Sequence, residues 1–184
     1  MRVVPGMTVL VPCDAIETRK AVFAAAEIEG PVYLRISRQP SPNVTAIDTP
    51  FVPGKATVLR EGRDVCIMAI GLLVAPALEA AKKLIEMGIS AEVVNMSSIK
   101  PIDRSYILEA NRRFRGIVTA EEHSVIGGLG SAVAEVLAGN VGANFAMVGV
   151  EDCFGKSGTP HALFMQYGLT AENIIQKCVQ TVKG

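Results

Sequence analysis

The sequence predicts an α/β protein built on a three-layer, mostly parallel sheet. Short β-branched, apolar runs alternate with segments of helical periodicity along most of the 184 residues. The strand runs are apolar throughout, as is typical of strands that are covered on both faces of a sheet. Hydrophobic residues make up 49% and charged residues 20% of the chain, a balance that indicates a folded domain and excludes general disorder.

The chain divides into two blocks that are joined by a linker. Residues 40–55 lack any sustained periodicity and are rich in residues that interrupt helices and strands, namely Pro40, Pro42, Pro50, Pro53 and Gly54. We interpret residues 1–39 as part of one domain, residues 40–55 as an extended linker, and residues 56–184 as a complete second domain.

The first block reads as a β-α-β unit. Residues 7–11 form a continuous apolar strand, residues 15–28 a helix and residues 32–37 a second strand. Asp14 and Glu17 have the spacing of a helix-capping pair, and capping accounts for both without any catalytic role. Two strands and one helix cannot close a core alone. The block is therefore either the edge of a larger sheet or a unit that docks on the second block.

The second block alternates strands and helices. Its edge strand is predicted at residues 56–60, and the others at residues 65–69, 91–95, 116–119 and 146–150. Helices are predicted at residues 74–85, 104–114, 129–137, 160–168 and 171–182. Asp103 and Thr170 are predicted N-caps, Pro160 a first helical residue and Gly88 a helix stop.

Composition excludes several classes of function. Lys plus Arg and Asp plus Glu both total 18, Trp is absent, and aromatic residues make up 5%, so we expect no nucleic-acid partner and no membrane association. The four cysteines, Cys13, Cys66, Cys153 and Cys178, form no CxxC pair, and we expect small buried thiols rather than a zinc site. No secretory signal is apparent, so a reducing, cytoplasmic location is expected.

Polar groups that could bind a ligand follow the carboxyl ends of the predicted strands, where ligands of parallel sheets bind. Arg38 follows the strand at residues 32–37, and a guanidinium in this position can grip a phosphate through two parallel hydrogen bonds. A solvated loop arginine or an intersubunit ion pair is the alternative. Arg35, inside the predicted strand, is interpreted as a structural ion-pair partner.

Two further groups follow the strand at residues 116–119. Residues 121–123, Glu-Glu-His in the predicted loop, could form an acid/base cluster, although adjacent loop residues need not converge, and His123 could equally be a polar interface contact. Residues 128–131, Gly-Leu-Gly-Ser, could present helix N-terminal amides to an anion. Close packing of glycine against the sheet is the favoured interpretation. His161 is expected to be exposed.

Several segments together resemble a known family. Residues 1–18, with Pro12-Cys13-Asp14-Ala15-Ile16-Glu17-Thr18, resemble a late segment of the transketolase pyrimidine-binding domain, and residues 30–39, ending in Ser37-Arg38-Gln39, resemble its last strand. Residues 121–132, 154–158 and 167–174 are similar to the transketolase C-terminal domain. The resemblance is strongest to the C-terminal subunit of a split transketolase. Parts of the pattern are shared with 1-deoxyxylulose-5-phosphate synthase and 2-oxoacid dehydrogenase beta subunits.

The resemblance implies a thiamine diphosphate-dependent and Mg²⁺-dependent transfer of a two-carbon ketol unit between phosphosugars in the complete, dimeric enzyme. It places Arg38 on the family arginine that contacts the substrate phosphate, and it assigns no catalytic residue to this chain. The family's catalytic glutamate and cofactor-stacking aromatics belong to an upstream region that has no counterpart here. We therefore expect this chain to bind no cofactor alone, to be inactive alone, and to need an N-terminal subunit or upstream segment. One alternative is a non-catalytic assembly or effector-binding module, and another is a fragment of a 1-deoxyxylulose-5-phosphate synthase or of a 2-oxoacid dehydrogenase beta subunit.

Overall fold

The computed structural model describes residues 1–183, which fold around two sheets. In chain order the strands are β1 Thr8–Leu10, β2 Val32–Leu34, β3 Thr57–Arg60, β4 Val65–Ala69, β5 Ala91–Asn95, β6 Ser98–Lys100, β7 Gly116–Ser124 and β8 Asn144–Val150. The helices are α1 Ala15–Glu27, α2 Val74–Glu86, α3 Arg104–Arg113, α4 Leu129–Leu137, α5 Pro160–Gln166 and α6 Ala171–Lys183, with a 3₁₀ turn at Gly71–Leu73. No helix within residues 1–183 is long and apolar enough to cross a membrane.

The larger sheet has the strand order β3-β5-β4-β7-β8. Strands β5, β4, β7 and β8 run parallel, and β3 pairs antiparallel with β5 at the edge. This arrangement confirms the predicted mostly parallel α/β fold. Parallel neighbours bring their carboxyl ends to one edge of the sheet, which places the end of β7 beside the loop that follows β4.

Helices cover both faces of this sheet and complete the three layers. Alternate residues of β4 point to opposite sides: Val65, Ile67 and Ala69 pack with α2 and α6, whereas Cys66 and Met68 pack with α3 and α4. All five residues of β4 are fully buried. A strand buried on both faces explains why its sequence is apolar at every position.

The smaller sheet has the order β2-β1-β6 and joins the first block to the second. Strand β6 comes from the second block and pairs antiparallel with β1, while β2 pairs parallel with β1 on its other side. The β-α-β unit thus docks on the second block. On the outer side of α1, Val22 and Phe23 remain exposed.

Three details of the sequence prediction are wrong. Strand β6 was not predicted, because three residues carry no periodic signal and the pairing with β1 is a tertiary contact. Strand β7 continues to Ser124, so residues 121–124 lie in a strand rather than in a loop. Strand β2 ends at Leu34, so Arg35 lies beyond the strand. The helix caps Asp14, Asp103 and Thr170 are confirmed by side-chain hydrogen bonds to first-turn amides.

Candidate functional site

Arg38 lies on an exposed segment just beyond the carboxyl end of β2. Its side chain has no hydrogen bond or ion pair with any residue in the described range 1–183. The neighbouring residues Ser37 and Gln39 both line a cavity of about 480 Å³, whose opposite wall includes Asp14, Thr18 and Arg19 at the start of α1. The structure therefore places Arg38 between two residues that line a cavity large enough for a small ligand, although Arg38 itself is not among the lining residues.

The carboxylate of Asp14 does more than cap α1. It is 3% exposed, and its Oδ1 accepts a hydrogen bond from the backbone N–H of Glu17 at 2.8 Å. Its Oδ2 accepts from the N–H groups of Val44 and Thr45 at 2.9 and 2.7 Å, and the Thr45 hydroxyl donates to both oxygens. Burial opposes ionisation, but these hydrogen bonds outweigh it and lower the pKa of Asp14 below its ordinary value. The linker is thereby fastened to the start of α1.

Glu17 is also buried, and it joins α1 to the larger sheet. Its Oε2 accepts from the backbone N–H of Cys13 at 2.8 Å, and its Oε1 accepts from Nδ2 of Asn95, at the end of β5, also at 2.8 Å. Burial and then the nearby charge of Glu17 raise the pKa of the Cys13 thiol, which is therefore held as the neutral form. The prediction that capping alone accounts for Asp14 and Glu17 is wrong. Asp14 does cap α1, but both carboxylates also accept hydrogen bonds from residues that are distant in the sequence.

Arg35 forms the predicted ion pair, and its partner is Glu122 on β7. The Nη2 atom of Arg35 lies 3.0 Å from Oε1 of Glu122 and donates to the backbone oxygen of the same residue at 2.6 Å. The other carboxylate oxygen of Glu122 accepts from the N–H of Leu72 at 3.1 Å. The pair is partly buried and connects the end of β2 to the carboxyl edge of the larger sheet.

Two of the three residues of the predicted acid/base cluster, Glu121 and His123, come within ion-pair distance, whereas Glu122 binds Arg35. Glu121 is 1% exposed and accepts hydrogen bonds from the N–H groups of Leu129 and Gly130, each at 2.8 Å. Burial raises the pKa of Glu121, although those two amides oppose the rise. His123 is exposed and lies 3.9 Å from Glu121. The alternation of side chains along a strand sends Glu121 and Glu122 to different partners.

The glycine-rich start of α4 binds an internal carboxylate instead of an outside anion. Its amides are occupied by Glu121. Glycine is also required for close packing, because a Cβ atom on Gly128 would collide with the Glu121 carboxylate and one on Gly130 would lie 2.6 Å from Sδ of Met147. The favoured interpretation of residues 128–131 is confirmed, and the amides are not free for a ligand.

The remaining candidates have no shared site. His161 is exposed, as predicted. Cys13, Cys66 and Cys178 are buried, whereas Cys153 is exposed, so the expectation of four buried thiols is wrong for one of them. Within residues 1–183, no three His, Cys, Asp or Glu side chains converge as ligands for a metal ion. The described side chains therefore offer two exposed arginines near the cavity, Arg19 in its lining and Arg38 between two lining residues, together with buried polar contacts at the start of α1.

Sequence reasoning missed two parts of this site. The approach of Arg19 to the cavity beside Ser37 depends on how α1 packs against the segment after β2, and its position inside a helix gave no signal. The contact of Glu122 with Arg35 joins residues 87 positions apart. The sequence indicated that Glu122 follows a predicted strand, but its spacing did not indicate which residue would be its partner.

The chain is similar in sequence to proteins of a known family. Residues 54–174 match the family described as "Transketolase, C-terminal domain". A 6-deoxy-6-sulfo-D-fructose transketolase subunit from Clostridium sp. (strain MSTE9) is 45% identical over 176 residues, which are 96% of this chain and 55% of that protein. The 1-deoxy-D-xylulose-5-phosphate synthase 1 of Geobacter sulfurreducens is 41% identical over 179 residues, which are 95% of this chain and 28% of that enzyme.

A solved structure described as "Split gene transketolase, inactive beta4 tetramer" superposes with a TM-score of 0.95 at 54% identity. The superposition covers 100% of this chain and 60% of that one. The chain thus spans little more than half the length of the subunits that it matches.

Proposed function

The chain belongs to the transketolase family and carries its C-terminal domain, and we propose that it is the carboxyl-terminal part of a split, thiamine diphosphate-dependent ketol transferase. In this proposal, residues 1–39 are the end of a pyrimidine-binding domain, residues 40–55 a linker and residues 56–184 the C-terminal domain. The assembled enzyme moves a two-carbon ketol unit from a ketose phosphate to an aldose phosphate. The substrates are phosphosugars, and the working form is a dimer of assembled units.

Arg38 is the residue that carries the proposal. Arg38 is exposed, its chain neighbours Ser37 and Gln39 line the cavity, and no side chain among residues 1–183 forms an ion pair with it. A planar guanidinium presents two parallel N–H donors to a tetrahedral anion, and an uncompensated one keeps both donors available. We propose that Arg38 binds the terminal phosphate of the sugar. The sulfonate named for the Clostridium subunit has the same shape and is a useful probe.

The residues described here do not fit a thiamine diphosphate site by themselves. The cofactor's diphosphate is held through a divalent cation, and residues 1–183 contain no cluster of three or more potential ligand side chains. We propose that the cofactor and Mg²⁺ are bound by an N-terminal subunit or upstream segment, and that this chain is inactive alone. The description of the 54% identical tetramer as inactive supports this proposal.

Exposed apolar side chains support association with such a partner. Val22 and Phe23 on α1 and Ile36 after β2 are between 48% and 65% exposed and lie in the incomplete first block. The outer edge of β2 is unpaired within the described residues, so further strands can extend the small sheet there. We propose that the N-terminal partner covers this side of the first block.

The test is ketol transfer from xylulose 5-phosphate to ribose 5-phosphate with thiamine diphosphate and Mg²⁺. We expect turnover by the chain assembled with its N-terminal partner and none by the chain alone. Arg38→Ala should raise the KM for xylulose 5-phosphate by roughly 10- to 100-fold in the assembled enzyme, because a charge-assisted bidentate contact is lost. Arg112→Ala, which removes an exposed arginine on α3 instead, is the matched control and should leave KM unchanged.

Two results would contradict the proposal. Turnover of phosphosugars by the isolated chain would overturn the need for a partner. Equal KM values for the Arg38→Ala and Arg112→Ala enzymes would remove Arg38 from the phosphate site. Because a deoxyxylulose-phosphate synthase matches almost the whole chain, pyruvate plus glyceraldehyde 3-phosphate is assayed in parallel. Activity with that pair and not with ketose phosphates would assign the chain to the synthase branch.

A further inference from the structure

The segment that carries Arg38 is short and is anchored at both ends. Five residues, 36–40, lie between Arg35 and Ser41, and all five are exposed. Arg35 is fixed to Glu122, and the Ser41 hydroxyl donates to the backbone oxygen of Cys13 at 2.8 Å. Since a residue spans at most about 3.6 Å of extended chain, the Arg38 backbone stays within about 11 Å of each anchor. The anchors therefore restrict where the guanidinium can reach.

The anchor before Arg38 belongs to the C-terminal domain. Glu122 binds Arg35 through its carboxylate and its backbone oxygen, and it is itself oriented by the N–H of Leu72. Space for this carboxylate depends on Gly71, where the φ angle is +57° and an added Cβ atom would lie 2.6 Å from Oε1 of Glu122. The side chain of Glu122 is 12% exposed, so solvent screens the pair weakly.

The anchor after Arg38 belongs to α1. The Asp14 carboxylate accepts hydrogen bonds from the backbone N–H groups of Val44 and Thr45. The Ser41 hydroxyl donates to the backbone oxygen of Cys13, the residue before Asp14. The first residues of the linker are therefore held against the start of α1. Neither anchor contacts the Arg38 side chain through a hydrogen bond or an ion pair, so each acts only through the backbone on its side of Arg38.

We propose that Glu122 and Asp14 are positioning residues that hold the Arg38 segment in the conformation that binds the phosphate of the sugar. This inference rests on the proposed role of Arg38. It gives the C-terminal domain a part in substrate binding, because Glu122 lies on β7 and reaches the phosphate site through Arg35. A bidentate contact needs both donors aligned with the anion, so a displacement of about 1 Å in the segment weakens binding.

Conservative variants of the assembled enzyme test the proposal. Glu122→Gln keeps the size of the side chain and removes its charge, and Asp14→Asn keeps one acceptor oxygen for the α1 cap. Each should raise the KM for xylulose 5-phosphate roughly tenfold while changing the KM for hydroxypyruvate, a ketol donor without phosphate, less than about twofold. Glu135→Gln is the matched control. It breaks the ion pair of Arg2 with Glu135, which also joins the two blocks but does not touch the segment, and it should change neither KM.

Hydrogen exchange provides a readout that is independent of turnover. The backbone amides of residues 36–45 should exchange faster in Glu122→Gln and Asp14→Asn than in the unmodified chain, whereas amides of β4 should be unchanged. Unchanged amides in β4 also show that each variant is folded.

The possible outcomes separate this inference from the proposed function. If Arg38→Ala does not discriminate between the two donors, the proposed role of Arg38 fails, and the positioning role fails with it. If Arg38→Ala discriminates but Glu122→Gln and Asp14→Asn behave like Glu135→Gln, only the positioning role is overturned. A parallel loss with both donors in the two variants would indicate general destabilisation and would also overturn it.

Discussion

Replacement of Glu121 by alanine should destabilise the chain strongly. The carboxylate is 1% exposed and accepts the N–H groups of Leu129 and Gly130 at the start of α4. Alanine leaves both buried amides without an acceptor, and each such group costs about 1–3 kcal/mol. The expected loss in the free energy of unfolding is therefore about 2–6 kcal/mol.

Glutamine separates the hydrogen bonds from the charge. Glu121→Gln keeps one acceptor oxygen and removes a buried charge, so its expected loss is smaller, about 0–2 kcal/mol. Burial raises the pKa of Glu121 in the folded chain above its ordinary value of 4.5. The folded state then binds the proton more tightly than the unfolded state, so the stabilisation is complete below about pH 4.5 and is lost as the pH rises through the raised pKa. Glu121→Gln should lack this decline.

Equilibrium unfolding in urea, followed by circular dichroism, measures both effects. The control is Glu135→Gln, which removes an exposed carboxylate from α4, the helix whose first amides Glu121 binds, and should cost less than about 1 kcal/mol. If Glu121→Ala unfolds at the same urea concentration as the control, the two amides do not depend on this carboxylate and the reasoning is wrong. If Glu121→Gln retains the pH-dependent decline, another group is responsible for it.

Three further outcomes follow from the contacts of named residues. Asp14→Ala should lower the free energy of unfolding by at least about 3 kcal/mol in the same urea assay, because three backbone N–H groups lose their acceptor at about 1–3 kcal/mol each. Since the pKa of Asp14 is lowered in the folded state, the unmodified chain should lose stability as the pH falls below about 3.8. The Asp14→Ala chain should lose less stability over that range. Acid titration of the circular dichroism signal measures both. Gly71→Ala should lower the thermal midpoint, because the φ angle of +57° disfavours a side chain and the Cβ atom would displace Glu122; calorimetry in parallel with Gly155→Ala, at an open position, checks this. Arg2→Ala removes the ion pair with the exposed carboxylate of Glu135 and a hydrogen bond to the backbone oxygen of Gly127, and it should cost about 1–2 kcal/mol. The cost should fall in 0.5 M salt, and an equally large cost at high salt would contradict a screened ion pair.

Much of the larger sheet could be predicted because its signals are local. Strand β4 is apolar at every position since both faces are covered, and α2 keeps its apolar positions on one side since the other faces water. Caps such as Asp14 and Asp103 act within one helical turn, so spacing alone identified them. The assignment to the transketolase family likewise came from contiguous motifs, and the family and structural matches confirm it.

The partners of the polar groups could not be predicted in the same way. Nothing in the spacing of Glu121 and Glu122 indicated that one would bind the start of α4 and the other Arg35. The exposure of Cys153 and the pairing of β6 with β1 also depend on how separate elements pack. Each of these contacts joins residues that are distant in the sequence, and each polar residue has several chemically equivalent partners from which spacing cannot select one.

The sequence by itself determined the alternation of strands and helices, the family, and Arg38 as the residue to test. Tertiary structure alone decided that Asp14 and Glu122 hold the backbone on either side of Arg38 and that the first block docks through β6. The physical reason is range: backbone propensity and capping act over a few residues, whereas a buried carboxylate takes its partner from whatever donors the packed chain brings within about 3 Å.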